Sequence, residues 1–470
     1  MDRLIVSVSG VRGTVGGTLT PGAACTFGCA FATFLREKAA GAGGAAAKPL
    51  RVALGRDTRP SGAMLARAVA AGLEGGGVGV VDLGVVSTPG AALMTTLLEA
   101  AGGVVLTASH NPQEYNGIKF LQPIGTGLWA EDARRLKEIW ESGRFALAGP
   151  LGIGQEEREL RTAGFHVDAV CATADVTGVA ARRFKVVLDA INGAGCAEAP
   201  MLLGRLGCEV ASLNGEPTGI FAHPPEPIEE NLLGLCAAVR KHRAAVGFAL
   251  DPDADRLAVV DETGRFIGEE YTLALAAAFV FSRRKGTLAT NLVTSRMVDD
   301  IASAAGGRVV RAPTGEANVA AAMLREGASC ILGGEGNGGV IDPRVVKVRD
   351  SLVGMAMVLQ LMAQTGKTLG ELVKQIPAYV LRKTKFPCPP EAVPEILRGA
   401  RAAFAGREGA RFNDADGLRV DLPEGWVCAR VSNTEPIARI IAEARTEEQV
   451  QALIRPVREA ADAVLRIQRT

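Results

Sequence analysis

The chain has 470 residues, 48% of them hydrophobic; that is more than one core usually takes and enough to fill several, so three or four domains are expected. Its 52 basic and 51 acidic residues leave a net charge of +1, and the 15 Phe, 3 Tyr and 3 Trp show no interleaving with basic clusters, which removes any global electrostatic drive toward DNA or an acidic membrane and any base-stacking surface. Nine cysteines, from Cys25 to Cys428 with no C-x-x-C pair, argue against a disulfide framework or a zinc site, and the four scattered histidines (His110, His166, His223, His242) do not press a zinc case.

In chain order, residues 1–10 lack the charged-then-apolar pattern of a leader, and residues 39–47, only Ala and Gly, read as a loose connection or extended helix end. A strand candidate lies at residues 52–54, and the glycine run at 75–79 reads as a helix-to-strand turn. Residues 103–106 form an apolar strand candidate that runs into Thr107-Ala108-Ser109-His110, and Asn111-Pro112 stops it. A serine at a strand end, where a helix can start, sits where free backbone N–H groups can hold phosphate oxygens. Taken alone, the loop also reads as an ordinary turn with a capping serine. A hydrolytic pair of Ser109 with His110 is geometrically awkward for chain neighbours.

Two more strand candidates, at residues 186–188 and 245–250, follow, and the second ends at Asp251, Asp253 and Asp255. Carboxylates at alternate positions of an extended segment share one face. Three like charges repel unless a cation sits among them, and hard oxygens select Mg²⁺ or Ca²⁺. A calcium loop of the EF-hand kind needs glycine and glutamate where this chain has Arg256 and Thr263, so Mg²⁺ is the reading. The longest apolar run, near residues 273–281, is too short to span a bilayer, and the chain is read as cytoplasmic.

A strand candidate at 288–289 precedes Ile331-Leu332 and the loop Gly333-Gly334-Glu335-Gly336-Asn337-Gly338-Gly339. Its glycines let backbone approach a ligand, and Glu335 and Asn337 offer acceptors and donors for sugar hydroxyls; alone it is also a plain flexible loop. Gly366-Lys367-Thr368 fails as a P-loop, because Leu361 stands where the first glycine belongs and no strand precedes it. Residues 371–390, proline-rich at their end, mark a change of domain. Arg430, Ser432, Asn433, Thr434 and Arg439 make a cradle for a phosphate dianion or a polar turn between strands. The last helix starts at a capping box of Thr446 with Gln449, shows Val450, Leu453, Ile454 and Val457 at helical spacing, and bends at Pro456. The strands at 52–54, 186–188 and 288–289 each precede a helix-like stretch and a second strand that ends at one of the three loops. Three similar α/β units thus deliver one loop each to a shared cleft at strand carboxyl ends.

These four loops, in this order, resemble the α-D-phosphohexomutase superfamily over nearly the whole chain. Ser9-Gly10-Val11-Arg12-Gly13 is similar to its S-G-[IV]-R-G element, Gly55-Arg56-Asp57-Thr58-Arg59 to its G-R-D-T-R, and Arg349-Asp350 to its pattern after the glycine loop. The resemblance implies an α/β protein of three similar mixed-sheet domains and a smaller α+β carboxyl-terminal domain around a central cleft. The expected bounds are residues 1–150 with the serine loop, 151–258 with the metal loop, 259–375 with the sugar loop and 376–470 with the phosphate loop.

It also implies an isomerase that moves phosphate between O6 and O1 of a hexose phosphate through a bisphosphorylated sugar. Ser109 would carry the phosphate, and one Mg²⁺ would lie among Asp251, Asp253, Asp255 and a phosphoserine oxygen. Lys119 and Arg12 would handle protons and charge, with His110 in the same catalytic loop. Arg256 would orient the metal loop or the phosphates, and Glu335 and Asn337 would grip the sugar. Arg430, Ser432, Asn433, Thr434 and Arg439 would hold the phosphate that is not reacting. A hexose bisphosphate would act as activator, and the chain would be a monomer or homodimer without nucleic-acid or membrane partners.

Where many relatives read G-E-x-S-G-H, this chain has Asn337 for the serine and Gly339 for the histidine, so that histidine's role cannot be carried over. The G-E-G-N-G-G form resembles a branch of phosphoglucosamine or phosphomannose/phosphoglucose mutases, and the reading leans to glucosamine phosphate. Two rivals stay open. A phosphohydrolase would use Asp251 and Asp253, although Asp255 replaces its usual Thr or Val; a non-catalytic sugar-phosphate sensor is motivated by Gly339.

Overall fold

The computed structural model describes residues 4–41, 49–431 and 437–467. Four sheets form among the described residues. The first orders its strands Ile5–Ser7, Gly10–Thr14, Tyr115–Leu121, Gly102–Leu106, Arg51–Arg56, Gly79–Val85, Glu156–Arg158. The second runs Leu257–Val260, Val246–Leu250, Lys185–Asp189, Glu209–Leu213, and the third Arg308–Ala312, Thr287–Asn291, Cys330–Glu335, Gly339–Ile341.

All three share one plan. Strands buried on both faces pair in parallel, as continuous apolar runs such as Val246–Leu250 require. The last parallel strand then turns back into an antiparallel partner: Gly102–Leu106 into Tyr115–Leu121, Val246–Leu250 into Leu257–Val260, and Cys330–Glu335 into Gly339–Ile341. The serine, aspartate and glycine loops are these three reversals.

The internal repeat is longer than the sequence reading had it. A further strand and helix lie between the first strand of each unit and its loop-bearing strand: Gly79–Val85, Glu209–Leu213 and Arg308–Ala312 are the extra strands. The second and third of these are edge strands with half-exposed, polar-interrupted patterns, so they lack the apolar run that marks their neighbours.

The helices Glu270–Phe281 and Ser351–Thr365 are apolar around most of their surface, because they lie inside the molecule. The apolar run at 273–281 is therefore a core helix, and no helix among the described residues is long and apolar enough to cross a membrane. One continuous core, from Ala53 through Phe248 to Ile376, joins the first three units. Residues 366–368 are a helix connection: Gly366, at φ 70, caps Ser351–Thr365, and Thr368 forms a capping box with Glu371 at the start of Leu369–Gln375.

The fourth sheet is antiparallel, in the order Val380–Pro387, Ile437–Ala444, Gly425–Val431, Leu418–Asp421, Arg411–Asn413, and is backed by helices Val393–Phe404 and Glu447–Ile467 around a separate core. The expected box forms, with Gln449 N–H donating to Thr446 Oγ1 at 3.3 Å, and the last helix continues through Pro456. This unit docks on the third through polar contacts. Arg296 Nη2 donates to Asp421 Oδ1 at 2.9 Å, Arg296 N–H to Glu443 Oε1 at 2.8 Å and Thr314 N–H to Asp416 Oδ2 at 3.0 Å. The helix Pro21–Gly41 takes the first residues of the Ala/Gly stretch, whose remainder lies outside the described residues. All nine cysteines are free.

Candidate active site

Ser109 sits at φ 50, in the left-handed region that disfavours side chains bearing a Cβ. The loop is pinned there by Arg59, fully buried, whose guanidinium donates to four carbonyl oxygens: Ser109 and Asn111 at 2.7 Å each, Pro112 at 2.8 Å and Tyr115 at 2.9 Å. Asp57 holds Arg59 through Nε at 3.1 Å and accepts from Thr107 Oγ1 at 2.7 Å, and that threonine oxygen accepts from Ser109 N–H at 2.9 Å. Burial pushes the Asp57 carboxyl up, against the pull of Arg59. The G-R-D-T-R segment is thus the clamp of the serine loop.

The held hydroxyl points at the second unit, where Ser109 Oγ donates to Asp251 Oδ2 at 2.8 Å. Asp251 Oδ1 accepts from the N–H groups of Asp255, at 3.0 Å, and Arg256, at 3.1 Å, a turn made possible by Ala254 at φ 53. Asp253 Oδ2 accepts from Thr88 Oγ1 at 2.5 Å and Lys119 Nζ at 2.6 Å. Asp255 Oδ2 accepts from Arg349 Nη2 at 2.6 Å. The remaining oxygens, Asp253 Oδ1 and Asp255 Oδ1, are buried with no hydrogen-bond donor.

One ligand oxygen from each of the three aspartates lies within 4.8 Å of the others, so the group could hold a metal ion. Unpartnered buried carboxylate oxygens are costly unless a cation takes them, and an all-oxygen donor set fits a hard divalent ion. Burial, then Asp255 and Asp253, raise the Asp251 carboxyl well above the usual range. Burial acts on Asp255 in the same direction, but Arg349, Lys119 and Arg256 outweigh it and hold that carboxyl low.

Lys119 is the reverse case: burial works against its charge, and Asp253 and Asp255 outweigh burial and raise it. Arg12 donates to Asn111 Oδ1 at 2.8 Å, and its own charge is weakened by burial and supported by Asp253. His110 Nδ1 comes within 3.3 Å of Ser109 Oγ, closer than expected of chain neighbours, because the left-handed serine folds the two side chains toward each other. Burial, with Arg256 and Arg12, pushes that imidazole down to about 2, so it stays neutral.

The sugar-loop glutamate joins the same network. Glu335 Oε1 accepts from Asn291 Nδ2 at 2.8 Å, and Oε2 from Arg349 Nη1 at 2.6 Å. Asn337 carries a buried Oδ1 without a hydrogen-bond partner. Arg256 Nε lies 4.0 Å from Asp255 Oδ1. Gly336 leaves room for the Glu270 carboxylate, since a Cβ there would stand 2.0 Å from Glu270 Oε2; burial pushes Glu270 up to about 8, against Lys383.

On the fourth sheet Arg430 pairs across strands with Arg439, and Arg439 with Lys385, so three cations stand in one row. Arg430 Nε lies 3.1 Å from Asp416 Oδ2. Ser432, Asn433 and Thr434 lie outside the described residues. Sequence reasoning missed Thr88, Glu316, Lys385 and the positions of Asp57, Arg59 and Arg349. Of the residues missed outright only Thr88 had a local signal, the Ser87-Thr88-Pro89 start of helix Thr88–Leu97, while Asp57, Arg59 and Arg349 stood in the G-R-D-T-R and Arg349-Asp350 motifs.

Comparison with known proteins agrees with this geometry. The chain matches the family models for phosphoglucomutase/phosphomannomutase alpha/beta/alpha domain I at residues 3–147, domain II at 165–264 and domain III at 268–379, and the C-terminal domain at 382–460. It is 40% identical over 444 residues (94% of this chain, 95% of the relative) to a phosphoglucomutase/phosphomannomutase of Thermococcus kodakarensis. It is 38% identical over 450 residues (95% of each) to a probable phosphoglucosamine mutase of Methanopyrus kandleri. A phosphoglucomutase/phosphomannomutase family protein of Burkholderia thailandensis superposes with a TM-score of 0.85 at 30% identity, covering 98% of this chain and 97% of that one. The chain belongs to the phosphoglucomutase/phosphomannomutase family of the α-D-phosphohexomutases, isomerases that move phosphate within a hexose phosphate.

Proposed function

We propose that this phosphohexomutase works through phosphorylated Ser109 and a hexose bisphosphate, and that its preferred substrate is glucosamine phosphate. The observation that carries the mechanism is the Ser109 hydroxyl 2.8 Å from Asp251, beside two buried aspartate oxygens without donors.

The phosphoryl group leaves Ser109 Oγ as its bond to a sugar hydroxyl oxygen forms, and the hydroxyl proton ends on Ser109 Oγ. After the bisphosphate turns over, the other phosphate returns to the serine by the same step. Asp251, Asp253 and Asp255, with a phosphoserine oxygen, would hold Mg²⁺, which would supply charge neutralisation for the transferring group. Lys119 and Arg12 add positive charge beside the acceptor, which stabilises a phosphoryl group in flight, and are the groups placed to handle its proton. Neutral His110 orients the serine oxygen. Glu335 and Asn337 present acceptors to ring hydroxyls, and Arg430 and Arg439, with Ser432, Asn433 and Thr434, take the distal phosphate in both orientations. The hexose bisphosphate serves as activator by restoring phosphate to enzyme that has lost it. Arg256, beside Asp255, steadies the metal loop.

For the sugar, glucosamine phosphate is supported by the Methanopyrus relative and by further probable phosphoglucosamine mutases at 36% identity from Pyrococcus abyssi and Thermococcus kodakarensis. The relative at 40% identity, named for glucose and mannose phosphates, supports the second reading. Initial rates for glucosamine 6-phosphate, glucose 1-phosphate and mannose 1-phosphate, measured with Mg²⁺ and the matching bisphosphate, decide between them. A clear lead for glucosamine phosphate is the expected result; a lead for either other sugar selects the second reading.

A further inference from the structure

Gly339 lies in the sugar loop, and its backbone does not demand glycine: its φ lies outside the left-handed region. What demands glycine is a neighbour. A Cβ at 339 would lie 2.1 Å from Arg349 Cδ and 2.6 Å from its Cγ, closer than two carbons can approach. The space of a side chain at 339 is filled by Arg349.

Arg349 is placed by four contacts, three of them at its guanidinium. Nη2 donates to Asp255 Oδ2 and Nη1 to Glu335 Oε2, both at 2.6 Å, while Nε lies 3.2 Å from Glu316 Oε2 and the Arg349 N–H donates to the same oxygen at 2.9 Å. The side chain is 12% exposed. A planar fork that engages two carboxylates at once fixes their separation, which a lysine or histidine cannot do in the same way.

We propose that Arg349 is a positioning residue for phosphoryl transfer in this chain, occupying the space that a side chain at 339 would need. It ties the aspartate loop to the sugar loop, turns Asp255 so that Oδ1 is left for the cation, and fixes Glu335 for the sugar. The proposal rests on the assignment of these loops to metal and sugar. A register error between them displaces the acceptor hydroxyl from the phosphoryl group, and a misplacement near 1 Å costs about 100-fold in rate.

The test is a double-mutant cycle on the full chain with Gly339→Ala, Arg349→Ala and both together, alongside Arg349→Lys. Steady-state kcat and KM are read with a hexose phosphate, and the thermal shift on adding Mg²⁺ is read without substrate. Gly339→Ala should lower kcat by about 100-fold in the wild-type background and have little further effect once Arg349 is alanine, because the clashing Cδ is gone. Arg349→Ala should lower kcat and shrink the Mg²⁺ shift together, and Arg349→Lys should fall between it and wild type. Additive penalties at 339 and 349, a near-normal Gly339→Ala enzyme, or an Arg349→Lys enzyme with wild-type kcat and Mg²⁺ shift would each overturn the proposal. If Arg349→Ala fails to fold, Arg349→Ser, which likewise has no Cδ, takes its place in the cycle and decides by the same non-additivity. If wild type turns over no hexose phosphate, the loop assignment fails by itself, and the coupling between 339 and 349 is still read from thermal stability.

Discussion

At Ser109 a left-handed backbone and the chemistry of the site fall on one residue. A non-glycine residue at φ 50 costs on the order of 1–2 kcal/mol, and it persists because Arg59 and Thr107 over-determine the loop. Alanine bears a Cβ as serine does, so Ser109→Ala keeps the strain and removes only the hydroxyl. Its turnover should fall more than about a thousandfold, because no other group at that position can carry the phosphate. Calorimetry should find hexose phosphate bound within a fewfold of wild type, and the melting temperature should barely move. Turnover near wild type would falsify the phosphoserine route. The serine and the three aspartates were legible because each motif is local: one loop follows one apolar strand. The roles of Thr88 and Arg349 were not, because they lie in contacts to Asp253 and Asp255 made across three sheets.

At the scale of elements, the site is three reversals of one kind. The loop-bearing strands were legible as apolar runs, whereas the outer strands Glu209–Leu213 and Arg308–Ala312 were lost because an edge strand with polar interruptions carries no such run. The fourth sheet carries its information across strands. Arg430, Arg439 and Lys385 stand side by side on three neighbouring strands, and like charges directly opposite one another destabilise a sheet unless an anion lies over them. The sequence showed the two arginines, but register alone brings the lysine beside them. Lys385→Ala should therefore raise KM for a hexose phosphate about tenfold, the loss of one charge-assisted contact, with kcat nearly unchanged. Without substrate the variant should melt no lower than wild type, since one member of a repelling row is gone. Steady-state kinetics and a melting curve check both halves, and an unchanged KM removes Lys385 from the phosphate row.

At the scale of the molecule, the first three units meet around one buried imidazole. His166, on helix Thr162–Cys171, lies 2.7 Å from Asp350 Oδ2 through Nε2 and 3.0 Å from Glu198 Oε2 through Nδ1. Glu198 accepts from Ser87 Oγ at 2.6 Å, and Asp350 caps helix Ser351–Thr365. Both ends of this chain adjoin the site: Ser87 precedes Thr88, which holds Asp253, and Asp350 follows Arg349, which holds Asp255. Burial alone would lower the imidazole, but Asp350 and Glu198 outweigh it and push it up to about 10, from an ordinary value of 6.5. Since the folded value lies above the unfolded one, the junction stabilises the fold fully below pH 6.5 and loses that contribution as pH rises through 10. The effect is a few kcal/mol when the imidazolium is charged. His166→Gln retains hydrogen-bonding capacity and removes the charge, leaving two buried carboxylates with less to hold them. The urea midpoint of the variant should lie well below wild type at pH 6.5, and the gap should narrow steadily toward pH 10 as the wild-type histidine loses its proton. A gap that stays constant across that window would mean that the buried imidazole is neutral throughout, and that the three units are joined there by hydrogen bonds without charge.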